Sequence, residues 1–275
     1  MRNLIKADLK RAWKDKLILV LFIVGGVFAL TTPLLYKGIA LLMNMEEEMM
    51  EVEGLLGSQF NAKTLFFTSF SPSNNFGMIL PIMVAIILCK DFGQGTVRNK
   101  IICGKSRTKI YFSLFTTCAI LMCGFILAQA IVTLLVSLVM FDYQAAPFTA
   151  KDFGYLLASV GFEMVVYLFI SALLMFFVVA MKNAGTAVVM YFVVNFFFLI
   201  VGSITQSIFM FADPTTSSYK VLEVVNNANM FTSLLIGGGV SYTAKEVLTI
   251  LLPNLLLGGL LVFLGLRSFK KKDLK

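Results

Sequence analysis

Apolar and polar positions alternate along this chain in long blocks, not residue by residue. Six apolar runs with almost no charges are separated by short polar connections and two longer ones. Each run is near or above the roughly 20 residues needed to cross a hydrocarbon core of about 30 Å. They predict an all-α integral membrane protein with spans at about 17–35, 71–89, 110–141, 153–181, 185–210 and 247–266. Pro81 and Pro253 fall inside the second and sixth runs and predict kinks there. The third run is longer than a bilayer requires, so it is expected to tilt or project. Residues 3–16 carry Leu4, Ile5, Leu9, Ala12 and Trp13 on one helical stripe, with Lys6, Lys10, Arg11 and Lys14 off it. That is the pattern of an interfacial helix with its lysines in water or on lipid phosphates. The apolar run after it is too long for a cleavable signal and lacks a small-residue cleavage site, so it is expected to remain as a span.

The two long connections differ in kind. Residues 44–75 contain Glu46, Glu47, Glu48, Glu51 and Glu53, a run expected to be a solvated helix face ahead of a cation site. Residues 211–246 contain Pro214 and Gly237-Gly238-Gly239, and Val221–Leu235 between them is apolar enough for a short helix dipping into the outer leaflet. Thr149 with Asp152, and Thr243 with Glu246, each read as a capping box at a helix start.

Composition agrees with the pattern. The chain has 275 residues, is 59% apolar and has a mean hydropathy of +0.88, well above a soluble domain. One membrane domain, 1–275, accounts for the length, with no stretch suited to a nucleotide-binding domain. The net charge of +8 is distributed by membrane side: eighteen of the 23 Lys and Arg lie in the N-terminal segment, residues 90–109, Lys182 and the C-terminal tail. The other five lie on the opposite side, which predicts a multi-pass protein with both termini cytoplasmic. That distribution argues against nucleic acid as a partner. Histidine is absent, so His-based catalysis and His metal ligands are excluded. None of Cys89, Cys103, Cys118 and Cys123 falls in a predicted external loop, so no disulfide framework is expected.

Little in the spans can do chemistry. Glu163 is the one ionisable residue well inside a span. It either contacts a substrate or a proton, or is a buried acid bonded to Asn195, Gln129 or Tyr167; both satisfy the demand that an intramembrane acid find a partner. Gln129, Asn195 and Asn254 are expected to bond between helices at about 0.6 kcal/mol each. Glu163, Gln129 and Asn195 are the candidates for a translocation path. Gly104-Lys105-Ser106 matches the end of a P-loop, but Asn99 stands where that motif needs its first glycine, and no strand precedes it. No catalytic set and no metal site is expected.

The densest polar stretch is Lys90–Tyr111, K-D-F-G-Q-G-T-V-R-N-K-I-I-C-G-K-S-R-T-K-I-Y, with six Lys and Arg and one acid, Asp91. Gly93 and Gly95 break the preceding span, Thr96 is a candidate N-cap, Val97 and Ile101 share a face, and Gly104 stops a short amphipathic helix. Ser106 can cap the next one.

The run D-x-x-x-G-T-x-R-N-K-I followed by G-x-S-R-x-x-I-Y resembles the first cytoplasmic loop of bacterial ABC-2 type transporter permeases, of the type V exporter fold. The resemblance implies six spans, an N-terminal elbow helix, short re-entrant helices before the last span, and a coupling helix in this loop. It assigns ATPase coupling to Asp91, Gly95, Thr96, Val97, Arg98, Asn99, Lys100, Ile101, Ser106 and Arg107, with Val97 and Ile101 as apolar anchors. It also implies partners: an ABC ATPase subunit, which would hold ATP and Mg, and a second permease copy or sibling within the lipid bilayer. The cargo would be an amphipathic or hydrophobic peptide, antibiotic or drug. The alternative is a stand-alone secondary transporter or intramembrane enzyme using Glu163.

Overall fold

The structure is a computed structural model; it describes residues 1–43, 61–69, 75–141, 149–181, 183–209, 211, 216–229 and 244–271. Among these residues the regular structure is all helical. The order is α1 (Arg2–Trp13), α2 (Lys16–Met43), α3 (Ala62–Ser69), α4 (Asn75–Gly93), α5 (Thr96–Ile102), α6 (Arg107–Met140), α7 (Ala150–Met181), α8 (Ala184–Phe209), α9 (Ser217–Ala228) and α10 (Ala244–Lys271). Five of them, α2, α6, α7, α8 and α10, are long and apolar enough to cross a membrane, and α4 with α5 forms a sixth candidate as a bent pair.

Most helix ends have a local cause. Asp15 separates α1 from α2, its Oδ1 accepting from the Leu17 N–H at 3.0 Å. The chain therefore turns after Trp13, short of the expected end at residue 16. The first span is longer than its apolar run: α2 continues through Pro33 to Met43. Lys37 does not stop it, since its ammonium lies over the Phe141 ring at 5.1 Å. At the start of α7 the capping box forms, with Asp152 Oδ2 accepting from the Thr149 N–H at 2.8 Å and from its hydroxyl at 2.6 Å. The matching box at Thr243, the Glu46–Glu53 run, Lys182 and Gly237–Gly239 lie outside the described residues.

The prolines do not break the spans. α4 runs on through Pro81 and α10 through Pro253 as single helices. A sharp change of direction comes at Gly93–Gly95, where α5 leaves α4 at 53°.

α7 is the central helix. α4, α6, α8 and α10 all pack on it, α10 most extensively, and Val166, Tyr167, Ile170, Leu174 and Val178 are sealed from solvent. α2, α8 and α10 are peripheral and leave large side chains bare, among them Ile23, Phe196, Phe197, Leu256 and Phe263. In lipid such faces carry no hydrophobic penalty, and packing and polar contacts decide association. α6 has 34 residues, about 50 Å at 1.5 Å per residue, more than the hydrocarbon core needs. Its N-terminal end joins α1, α5 and the end of α10 in one basic end of the bundle. At the far end α3 packs on α6, and Lys63 lies 3.8 Å from Asp152 of α7.

Candidate functional site

The basic end is organised by acids. Asp8 of α1 and Asp91 of α4 are buried, and the basic side chains of α1 and α5 close on them. Lys100 Nζ lies 2.6 Å from Asp8 Oδ1 and 3.7 Å from Asp91 Oδ2. Arg11 pairs with Asp91 and stands 3.5 Å from Asp8. The Ser113 hydroxyl of α6 donates to Asp8 Oδ2 at 2.8 Å. Beside this balanced quartet, Lys90 Nζ donates to Asp15 Oδ2 at 2.5 Å. Burial works against the Asp15 carboxylate, but the hydrogen bonds from Lys90 and from the Leu17 N–H prevail and hold its pKa below the ordinary value. A buried charge is tolerated where its partner is equally fixed. The consecutive helices α4, α5 and α6 and the distant α1 are tied together by that requirement.

α5 sits on this network. Gly95, not Thr96, is its N-cap, with φ of 68° that only glycine adopts cheaply; Thr96 is the first helical residue. At the other end Gly104, φ 76°, closes a Schellman turn, its N–H donating to Ile101 O at 2.9 Å and that of Lys105 to Lys100 O at 3.1 Å. Ser106 caps α6 through the Lys109 N–H at 3.4 Å. Arg107 reaches the carbonyl of Lys270 at 2.6 Å, tying α6 to the end of α10.

This arrangement sorts the ten coupling candidates. Val97 is 2% exposed and belongs to the chain's own core, and Ile101 is half-buried against it. The anchors expected to meet a partner are thus used inside the molecule. Asp91 and Lys100 face inward as well, and Gly95, Ser106 and Arg107 set the backbone frame. Arg98 and Asn99 are exposed, with Thr96 between the two groups. Ile102, which the spacing argument passed over, is 73% exposed and is the bare apolar residue of α5. Asp8 and Arg11 were also missed. The signal for Asp8 was present: an acid on an otherwise basic helix. Its partners were not legible, because they lie on α5 and α6.

The intramembrane candidates are placed differently. Glu163 lies midway along α7 and is 1% exposed. Its Oε2, Gln129 Oε1 and Asn195 Oδ1 each lack a hydrogen-bond partner among the described residues. Tyr167, one turn along α7, lies within electrostatic range of Glu163 and Tyr191. Gln129 continues as a buried polar stripe on α6 with Thr133 and Ser137, whose hydroxyls also lack partners among the described residues. The four-residue spacing of that stripe was visible in the sequence, hidden by the hydropathy around it. Among the described residues no group of three or more Cys, Asp or Glu could hold a metal ion.

At the far end α9 begins at Ser217, earlier than the expected Val221, and ends at Ala228. Thr205 Oγ1 meets Asn226 Oδ1 at 3.1 Å, and Asn229 Nδ2 donates to the Phe198 carbonyl at 2.7 Å. α8 positions fall as α9 positions rise, so the two helices form an antiparallel hairpin.

A family model described as a protein of unknown function (DUF2705) matches residues 17–275. No curated protein matches the chain. The chain belongs to the DUF2705 family.

Proposed function

We propose that this DUF2705 member is the membrane-spanning permease subunit of an ATP-driven exporter, coupled through α5 to a separate ATPase chain. The observation that carries the reading is the seat of α5: a short helix bent 53° from its span and held by the Asp8–Lys100 and Arg11–Asp91 pairs. A helix fixed in this way can receive a push and pass it to α1, α4 and α6 as one body. The family resemblance in Asp91–Tyr111 supplies the partner, and the charge asymmetry puts this end in the cytoplasm. The docking face is then Arg98, Asn99 and Ile102, while Val97 and Ile101 hold the helix to its own chain.

The hairpin of α9 on α8 supports the re-entrant element of the same reading. Phe198 lies about 16 Å back from the Phe209 end of α8 at 1.5 Å per residue. On this reading the Asn229 end of α9 reaches into the outer half of the bilayer. The bare faces of α2, α8 and α10 are available to lipid and to a second permease subunit. An amphipathic or hydrophobic peptide, antibiotic or drug is the cargo class that suits such walls.

The test is copurification from the native host, with the companion chain identified by its nucleotide-binding motifs. Ile102→Asp with Arg98→Glu is expected to leave the permease inserted and to abolish ATPase capture or cargo-stimulated ATP hydrolysis. Retention of both would sink the assignment.

A second reading rests on Glu163. A buried acid in mid-span with an oxygen that has no hydrogen-bond partner among the described residues suits a proton-coupled carrier. Uptake or export driven by a pH gradient in vesicles without ATP would favour it.

A further inference from the structure

At the basic end, on the side away from the ion-pair quartet, α1, α2 and α6 line an open groove of about 610 Å³. Its mouth carries Lys10 of α1 and Lys14, the C-cap of that helix, both exposed and one helical turn apart. Its walls are Leu9 and Trp13 of α1, Phe22 of α2, and Ile120 and Leu121 of α6. The Trp13 ring meets Phe22 edge-on at 5.8 Å, and Phe22 meets Phe125 in the same way at 5.1 Å. The floor is Gly124 and Ala128, and a Cβ added at Gly124 would meet nothing within 4 Å. From Ile120 to Ala128 the groove follows α6 for about 12 Å at 1.5 Å per residue. No acid is among the described residues that line it.

We infer that this groove binds one anionic phospholipid, its phosphate between Lys10 and Lys14 and an acyl chain along Gly124 and Ala128. Charge and polarity select the occupant together. Two cations without a carboxylate at the mouth call for an anion; each basic residue near an anionic lipid surface strengthens binding about fivefold. The apolar channel below them calls for a hydrocarbon chain, which a soluble phosphate or an acidic peptide does not carry. Trp13 stands where a headgroup meets its chain, the depth indole prefers. The site is independent of any ATPase partner, so its test does not depend on the transport reading.

Trp13 is the chain's one tryptophan, which makes occupancy readable directly. The full chain is reconstituted in phosphatidylcholine vesicles containing a small fraction of phosphatidylglycerol or phosphatidylcholine with brominated acyl chains, and Trp13 quenching is followed. Brominated phosphatidylglycerol is expected to quench at mole fractions roughly thirty-fold below those needed for brominated phosphatidylcholine. Lys10→Gln with Lys14→Gln is expected to remove that preference. Lys270→Gln with Lys271→Gln, an equal loss of charge elsewhere at the same end, is expected to leave it. Gly124→Leu, which fills the channel, is expected to remove the preference with both lysines in place; Ala128→Leu serves if that variant fails to insert. Equal quenching by the two lipids in the parent overturns the inference. So does a preference that survives loss of Lys10 and Lys14, that survives a filled channel, or that falls equally with Lys270 and Lys271.

Discussion

Lys100 of α5 reaches 2.6 Å from Asp8 of α1, so the helix expected to face a partner is held by the N-terminal helix of its own chain. Asp8 is 3% exposed, and it also accepts from Ser113 of α6 at 2.8 Å. A single carboxylate thus positions three helices.

Asp8→Asn or Lys100→Met alone unbalances the buried quartet by one charge and leaves the remaining partner only its longer pair, Lys100–Asp91 at 3.7 Å or Arg11–Asp8 at 3.5 Å respectively. Either is expected to cost about 3–5 kcal/mol, read as a lowered melting temperature of the purified protein in detergent. The double variant is expected to cost less than the two losses combined, since it removes both charges. Simple additivity would mean that the two side chains are not coupled.

Asp15 offers a pH signature. Its pKa is lowered, because the Lys90 and Leu17 hydrogen bonds outweigh burial. A depressed carboxylate contributes stability that is complete above its unfolded pKa, about 3.9, and lost as pH falls through the folded value. Asp15→Asn is therefore expected to lower the melting temperature at pH 7, with the difference from the parent narrowing as pH falls below about 4. A difference that is constant with pH would leave only the capping role.

The two faces of α5 separate folding from docking. Val97→Asp puts a charge in a site 2% exposed and is expected to reduce yield and melting temperature by itself. Ile102→Asp, at a site 73% exposed, is expected to leave both unchanged and to act only on the companion ATPase. If Ile102→Asp destabilises the isolated permease as Val97→Asp does, that face is packed and not free.

Glu163→Gln keeps the shape of a side chain that is 1% exposed and removes its charge. A role in cargo or proton handling predicts altered transport with assembly intact. A structural role predicts a lower melting temperature first. Unchanged transport with reduced stability would remove Glu163 from the translocation path.

Orientation can be read by thiol labelling. Cys103 is exposed at the end of α5. It is expected to react with an impermeant reagent only after cells are opened. A cysteine at Ser217, placed in a background without the four native thiols, is expected to react on intact cells. The reverse pattern would invert the topology.

Much of this architecture was legible in the chain itself. Hydropathy alone gave an all-helical chain with five helices long and apolar enough to cross a membrane and a bent pair as a sixth candidate, because a helix crossing lipid must be apolar over its whole length and satisfy its own backbone. Local chemistry also read correctly at Gly104, Ser106 and the Thr149–Asp152 box, where cause and effect lie within a few residues. Tertiary structure decided what local chemistry could not. The spacing of Val97 and Ile101 showed that α5 had an apolar face, but not that its own bundle would cover it. The sequence pattern placed Arg11 in water or on lipid phosphates, whereas Asp91 and Asp8 draw it against the protein. Amphipathic periodicity specifies that a face must be buried, and ionisation specifies that a buried charge must be paired. Neither specifies the partner, which depends on which distant helices the packing brings alongside.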